Sequence, residues 1–133
     1  MVTVNETMAP LGKDVPYRQS QSPDYQKSTF TADDASDHIF KIDARGKGRM
    51  TLAVDNPANQ ALVVTLYGMH TSTSAIGDSG VFLIDSFGVG AAGAVYDVAN
   101  DPFPWYLAKI TYDGIPTDNP LKTCSMWADF SAF

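Results

Sequence analysis

What is scarce in this chain narrows it first. Cysteine occurs once, at Cys124, so no intramolecular disulfide can form, and the neighbouring Thr123, Ser125 and Met126 give no metal-ligand spacing. It reads as a thiol of the core or of an interface. The only imidazoles, His38 and His70, each lack a second His, Cys or Glu at ligand spacing, and Asp33, Asp34 and Asp37 of "TADDASD" lack the Asp/Asn alternation and closing Glu of a calcium loop. No metal site is expected. Charged residues are 18% of the chain against 44% hydrophobic, which excludes wholesale disorder and leaves few charges to dress an isolated surface, so part of that surface is expected to face protein.

Basic residues are scarcer still. Nine Lys and Arg stand against fifteen Asp and Glu, and the formal charge of −6 repels nucleic acid. Only Lys41, Arg45, Lys47 and Arg49 gather, around Gly46 and Gly48 in "DARGKGRM", which reads as a solvated hairpin tip rather than a phosphate patch. Long apolar runs are also missing: nothing approaches the roughly eighteen consecutive apolar residues of a membrane helix. The start "MVTVNETMAPLGK" has neither a basic opening nor an apolar h-region, so cytoplasmic synthesis without a membrane span is the expectation.

What is abundant is glycine in one place. In "FLIDSFGVGAAGAV", Gly88, Gly90 and Gly93 spell G-x-G-x-x-G after an apolar run, Val81 to Ile84, and Asp113 follows twenty residues past the last glycine. A dinucleotide site also needs a helix after the glycines and further βαβ units. Here Asp101-Pro102-Phe103-Pro104 closes any helix within residues 89 to 100, the only window for one, and few residues remain after Asp113. No cofactor is expected, and the small residues are read as tight turning and close backbone approach. Ser72, Ser74, Ser79 and Ser86 lie near His70 and Asp78, but no G-x-S-x-G elbow exposes a nucleophile, so no enzyme activity is expected.

From Asp37 onward the pattern has period two, the mark of strands with one buried face. Phe40 and Ile42 share a face, as do Met50, Leu52 and Val54; Leu62, Val64 and Leu66; Tyr106, Ala108, Ile110 and Tyr112; and Cys124, Met126, Ala128 and Phe130. "DNPAN", residues 55 to 59, reads as a turn making its flanking strands antiparallel neighbours, and "DGIPTDNP" is again turn chemistry. Short strands with Gly, Pro, Asn and Asp between them predict an all-β fold, an antiparallel β-sandwich or jelly roll. Residues 1–28, with Pro10, Pro16 and Pro23, read as an extended N-terminal arm before a sandwich domain of residues 29–133.

Three segments, "DNPANQALVVTLYG", "SAIGDSGVFLIDSFGVGAAGAVYDVAND" and "PFPWYLAKITYDGIPTDNPLKTCSMWADF", together resemble the small jelly-roll or β-sandwich structural proteins of tailed-phage virions. Asn56, Gln60, Pro104, Tyr106, Thr111, Pro116 and Thr117 follow that pattern; Ala108, where a basic residue is common, and Asp118-Asn119, where Ser-Gly is expected, depart from it. The resemblance implies a non-enzymatic virion protein, a capsid decoration or head accessory subunit. It would act by self-assembly as a homo-oligomer and by binding neighbouring virion proteins. Leu11, Val15, Tyr17, Tyr25 and Phe133 are the candidate assembly contacts, the arm becoming ordered along a neighbour. A second reading stays open: a carbohydrate- or ligand-binding module using Trp105, Tyr106, Trp127 and Tyr67 as an aromatic platform.

Overall fold

Alternation of apolar and polar residues becomes eight strands, and in five of them every second side chain is buried. The computed structural model describes residues 25–33 and 36–131, and among these there is no helix. The strands are β1 (Tyr25–Thr31), β2 (His38–Asp43), β3 (Arg49–Asn56), β4 (Leu62–Met69), β5 (Val81–Val89), β6 (Gly93–Ala99), β7 (Trp105–Tyr112) and β8 (Thr123–Ser131). They form two four-stranded antiparallel sheets, in the orders β1-β8-β3-β6 and β2-β7-β4-β5. The sheets pack face to face, and this interleaved order of eight strands is that of a jelly roll.

The core lies between them. Met50, Leu52 and Val54 of β3 and Cys124, Met126 and Ala128 of β8 meet Phe40 and Ile42 of β2, Leu62, Val64 and Leu66 of β4, and Tyr106, Ala108, Ile110 and Tyr112 of β7. The faces assigned from periodicity are therefore the buried ones, because an antiparallel sheet with one wetted side turns its period-two apolar set inward.

Pairing differs from what adjacency in sequence implies. β3 and β4 do not form a hairpin across "DNPAN": they belong to different sheets, and the connection crosses the sandwich. The basic segment around Gly46 is likewise a crossover from β2 to β3 rather than a hairpin tip. Among the described strands only β4 and β5 are both consecutive and hydrogen-bonded, and the loop between them is long. Turn-forming residues signal a reversal but do not say whether the next strand returns to the same sheet or the facing one.

Two further expectations give way. The helix window of residues 89 to 100 holds the end of β5, a three-residue turn and β6, whose Val95, Tyr96 and Val98 favour extended backbone. Residues 25–28, expected in the arm, are the first half of β1, registered against Met126 to Asp129 of β8. Leu11, Val15, Tyr17 and Phe133 lie outside the described residues.

The sandwich has two open sides. On one, the Gln26 amide mimics a strand edge: its Nε2 donates to the Asp43 carbonyl at 2.6 Å and its Oε1 accepts from the Asp43 N–H at 3.0 Å, while Phe30 stacks on His38. On the other, the edge strands β5 and β6 face each other. A bulge at Ile84 lets Asp85 register with Leu66, and Asp97 registers with Leu52, so both carboxyls occupy inward-facing positions. Inward charges on edge strands interrupt open-ended sheet extension.

Candidate functional site

The glycine motif resolves into ordinary β structure. Gly88 ends on β5, Gly90 sits in the turn, Gly93 opens β6, and the left-handed position of this turn belongs to Ala92, at φ 54°. No helix N-terminus stands there to receive a pyrophosphate. The turn is instead held by a buried side chain. Asn56 Nδ2 donates to the carbonyls of Gln60 at 2.9 Å and Gly90 at 3.1 Å, while its Oδ1 accepts from the Ala58 N–H at 3.3 Å and the Tyr112 hydroxyl at 2.8 Å. The Asn56 amide thus fills its two donor and two acceptor sites from two crossovers, β3–β4 and β5–β6, and the end of strand β7.

The same end is tied further by Ala92 N–H to the Ala58 carbonyl, Ala32 N–H to the Lys122 carbonyl, and Asn59 against Thr117 and Asp118. Burial beside Asn56 raises the Tyr112 hydroxyl well above its usual range. It also pushes Cys124 up to about 11, so that this thiol stays protonated and poorly nucleophilic at neutral pH.

At the opposite end aromatic rings take over. Phe103, from the β6–β7 connection, sits on Gly68 so closely that a methyl group there would overlap its ring. Phe82, His70 and Tyr106 surround Phe103 with ring centroids about 6 Å away. His70 is therefore part of an aromatic plug, and the nearby Asp78 carboxylate is engaged with the Ala75 N–H at 2.8 Å within its own loop. The basic cluster is dispersed: Arg45 pairs with Asp43 at 2.8 Å and lies over Trp105, Lys47 lies near the Phe130 ring, and Lys41 donates to the Ser72 carbonyl. The guanidinium beside Asp43 holds that carboxyl down at about 2. Among the described residues no group of His, Cys, Asp and Glu is placed to hold a metal ion.

Of the four aromatics offered as a platform, Tyr106 is core, with its hydroxyl donated to the Asp101 carbonyl. Tyr67 and Trp105 lie on the outer face of the β2-β7-β4-β5 sheet, and Trp127 alone lies on the outer face of the other. Lys41, registered beside Leu107, donates to the Ser72 carbonyl in the loop after β4, and Leu107 and Met69 are buried although their positions face outward.

Among the described residues, two of the surfaces that expose apolar side chains stand out. One is the edge strand β5, with Phe82 and Leu83 about half and two thirds exposed, beside Tyr67. The other is the outer face of the β1-β8-β3-β6 sheet, where Tyr25 is 52% and Tyr96 71% exposed. Sequence periodicity marked Tyr96 only as part of a helix window. The carboxyl pair on the seam was also invisible, because neither Asp85 nor Asp97 stands in a motif. In the folded chain they share a hydrogen bond that lowers Asp85, with help from the Ser86 N–H at 2.8 Å, and raises Asp97, with help from burial and the Asp85 charge.

No family model matches this chain and no curated protein matches it, so the likeness to tailed-phage virion proteins gains no family-level support. Solved structures do share the architecture. PirA superposes with a TM-score of 0.51 at 11% identity, covering 83% of this chain and 97% of PirA. The Yersinia pseudotuberculosis-derived mitogen gives 0.50 at 11% identity, over 84% of this chain and 88% of the mitogen. PliG of Aeromonas hydrophila, a periplasmic inhibitor of g-type lysozyme, gives 0.46 at 12% identity. At such identities the likenesses to PirA and the mitogen speak for the β-sandwich fold and for nothing about activity.

Proposed function

We propose that the protein is a non-enzymatic structural subunit that works by packing against other protein chains, of the kind that decorates or completes a virion head. The observation that carries this reading is the β5 edge. It is a nine-residue edge strand whose outward backbone groups have no partner strand among the described residues, and it exposes Phe82 and Leu83. A long apolar edge is a pairing surface unless something covers it. The bulge at Ile84 and the inward Asp85 interrupt free sheet extension, which favours one registered partner over open-ended stacking. The sequence resemblance over residues 50 to 130 supports the virion setting, and Tyr25, exposed at the head of β1, remains available as an assembly contact.

Size-exclusion chromatography with light scattering, run over a concentration series and with purified particles, tests it. The expected outcome is an oligomer or a particle-bound subunit that Leu83→Lys returns to monomer. A wild-type protein that stays monomeric at every concentration and binds no particle overturns the reading.

A further inference from the structure

The outer face of the β1-β8-β3-β6 sheet carries a cleft that the subunit reading does not use. Along one cross-strand row stand Lys27 of β1, Trp127 of β8, Ala53 of β3 and Tyr96 of β6. Two large rings thus flank a methyl group. Because Trp127 and Tyr96 lie two strand spacings apart, their backbones are separated by about 9.6 Å. That leaves room for one saturated ring with an aromatic face on either side. The cleft is about 170 Å³, with Ala53 and Ala94 in its lining and Asp55 at one end. Lys27 Nζ lies over the Trp127 ring at 5.1 Å; it is the neighbour of Trp127 on the side away from Ala53 and Tyr96, so the cleft itself holds no cation.

We propose that this cleft binds a single neutral hexopyranose unit of a glycan, stacked by its C–H face between Trp127 and Tyr96 with two hydroxyls donated to the Asp55 carboxylate. Each feature selects that chemistry. An aromatic wall takes the apolar face of a sugar, and a carboxylate at the rim takes adjacent hydroxyls as a two-oxygen acceptor. On the two central strands β8 and β3 the neighbouring rows are polar, Asp129 and Thr51 in one and Ser125 and Asp55 in the other, while Tyr25 and Val98 end the first row and Thr29 and Ala94 the second. Polar side chains on β8 and β3 therefore bound the space between Trp127 and Tyr96 along the strands, which leaves a single ring's length between the two aromatic faces. The charge in the cleft is negative, which turns away sialic and uronic acids. The site is independent of the β5 edge, since it lies on the opposite sheet.

The test is a titration of the full chain with methyl β-glucopyranoside, methyl β-galactopyranoside and their N-acetylated 2-amino counterparts, followed by amide and indole chemical shifts. Glucuronic acid and sialyllactose serve as charged probes. At least one neutral glycoside is expected to move the Trp127 indole and the Tyr96 and Asp55 amides at millimolar concentration, leaving Trp105 unmoved, while the charged sugars do not. Tyr96→Ala, at an exposed position, weakens binding about tenfold, the loss expected for one aromatic face. Ala53→Leu fills the floor and abolishes it. Both variants are checked for an unchanged thermal transition. If no neutral glycoside shifts Trp127, or if Tyr96→Ala and Ala53→Leu bind as the wild type does, the proposal is wrong; saturation by the charged sugars instead overturns the assigned chemistry.

Discussion

The two ends of this jelly roll are closed by different physics. At the end formed by the β1–β2, β3–β4, β5–β6 and β7–β8 connections, closure is by directional hydrogen bonds converging on Asn56 and its neighbours. At the end formed by β2–β3, β4–β5 and β6–β7, it is by rings packed around Phe103, with Arg45 and Lys47 laid over Trp105 and Phe130. A hydrogen-bonded hub tolerates one geometry, since a buried polar group left without its partner costs about 1–3 kcal/mol. A ring plug tolerates displacement, since it loses contact area by degrees. The first end is expected to be the rigid one and the second the adjustable one, and the exposed Phe82 and Leu83 lie at the adjustable end.

The sharpest way to break this contrast is Asn56→Leu. The change leaves the Ala58 N–H, the Tyr112 hydroxyl and the Gln60 and Gly90 carbonyls without their buried partner at once. A loss of about 4 kcal/mol in urea unfolding is expected, and adding Tyr112→Phe should return about 1 kcal/mol by removing one stranded donor. A loss under about 1 kcal/mol would mean that the hub is ornamental.

At the other end, Gly68→Ala puts a methyl group into the Phe103 ring. Phe103 sits in a connection rather than a strand and can swing outward, so the expected cost is about 2 kcal/mol, below that of the hub. Phe103→Ala and the double variant should cost about the same as each other, because the methyl group and the ring compete for one space. Additive losses would show that Gly68 matters for some reason other than Phe103.

This contrast also marks how far the sequence was legible. Period-two alternation named the buried face of β2, β3, β4, β7 and β8 correctly, since solvent enforces it locally on each strand. The crossovers were not legible, because "DNPAN" carries the residues of a hairpin turn and becomes a sheet-to-sheet connection only through Asn56, whose partners Gly90 and Tyr112 lie 34 and 56 residues away. The cleft was half legible: Trp127 stood out as an aromatic among polar neighbours, but its counterpart Tyr96 depends on the pairing of β3 with β6. The carboxyl pair on the seam depends on pairing too.

That seam, between the two ends, gives a pH test. Asp97 is raised, so its contribution to stability is complete below the ordinary carboxylate value and is lost as pH rises through its folded value. Asp85 is lowered, so its contribution is complete above the ordinary value and is lost as pH falls through its folded one. Above the raised value both are ionised and repel. Asp97→Asn keeps a donor for Asp85 at every pH and should therefore stabilise the protein at neutral pH, by about 0.5 kcal/mol for so exposed a pair. The gain should shrink on acidification below the raised value. A gain independent of pH would exclude the shared proton as its cause.

The smallest effect probes the rigid end without touching its hub. Ala92 holds φ at 54°, a left-handed conformation that costs an L residue about 1 kcal/mol, and it does so while donating its N–H to the Ala58 carbonyl at 2.9 Å. Glycine relieves that strain but adds unfolded-chain freedom worth about 0.4–1 kcal/mol, so Ala92→Gly should come out neutral or stabilising by a few tenths. Ala94→Gly, two residues on in extended β6, has no strain to relieve and should cost about 0.5–1 kcal/mol. The sign difference between two alanines on either side of one glycine is the readout, in paired thermal or urea unfolding. If Ala92→Gly destabilises as much as Ala94→Gly, the turn is not held in its strained shape by the hydrogen bonds around Asn56, and the rigidity assigned to this end falls with it.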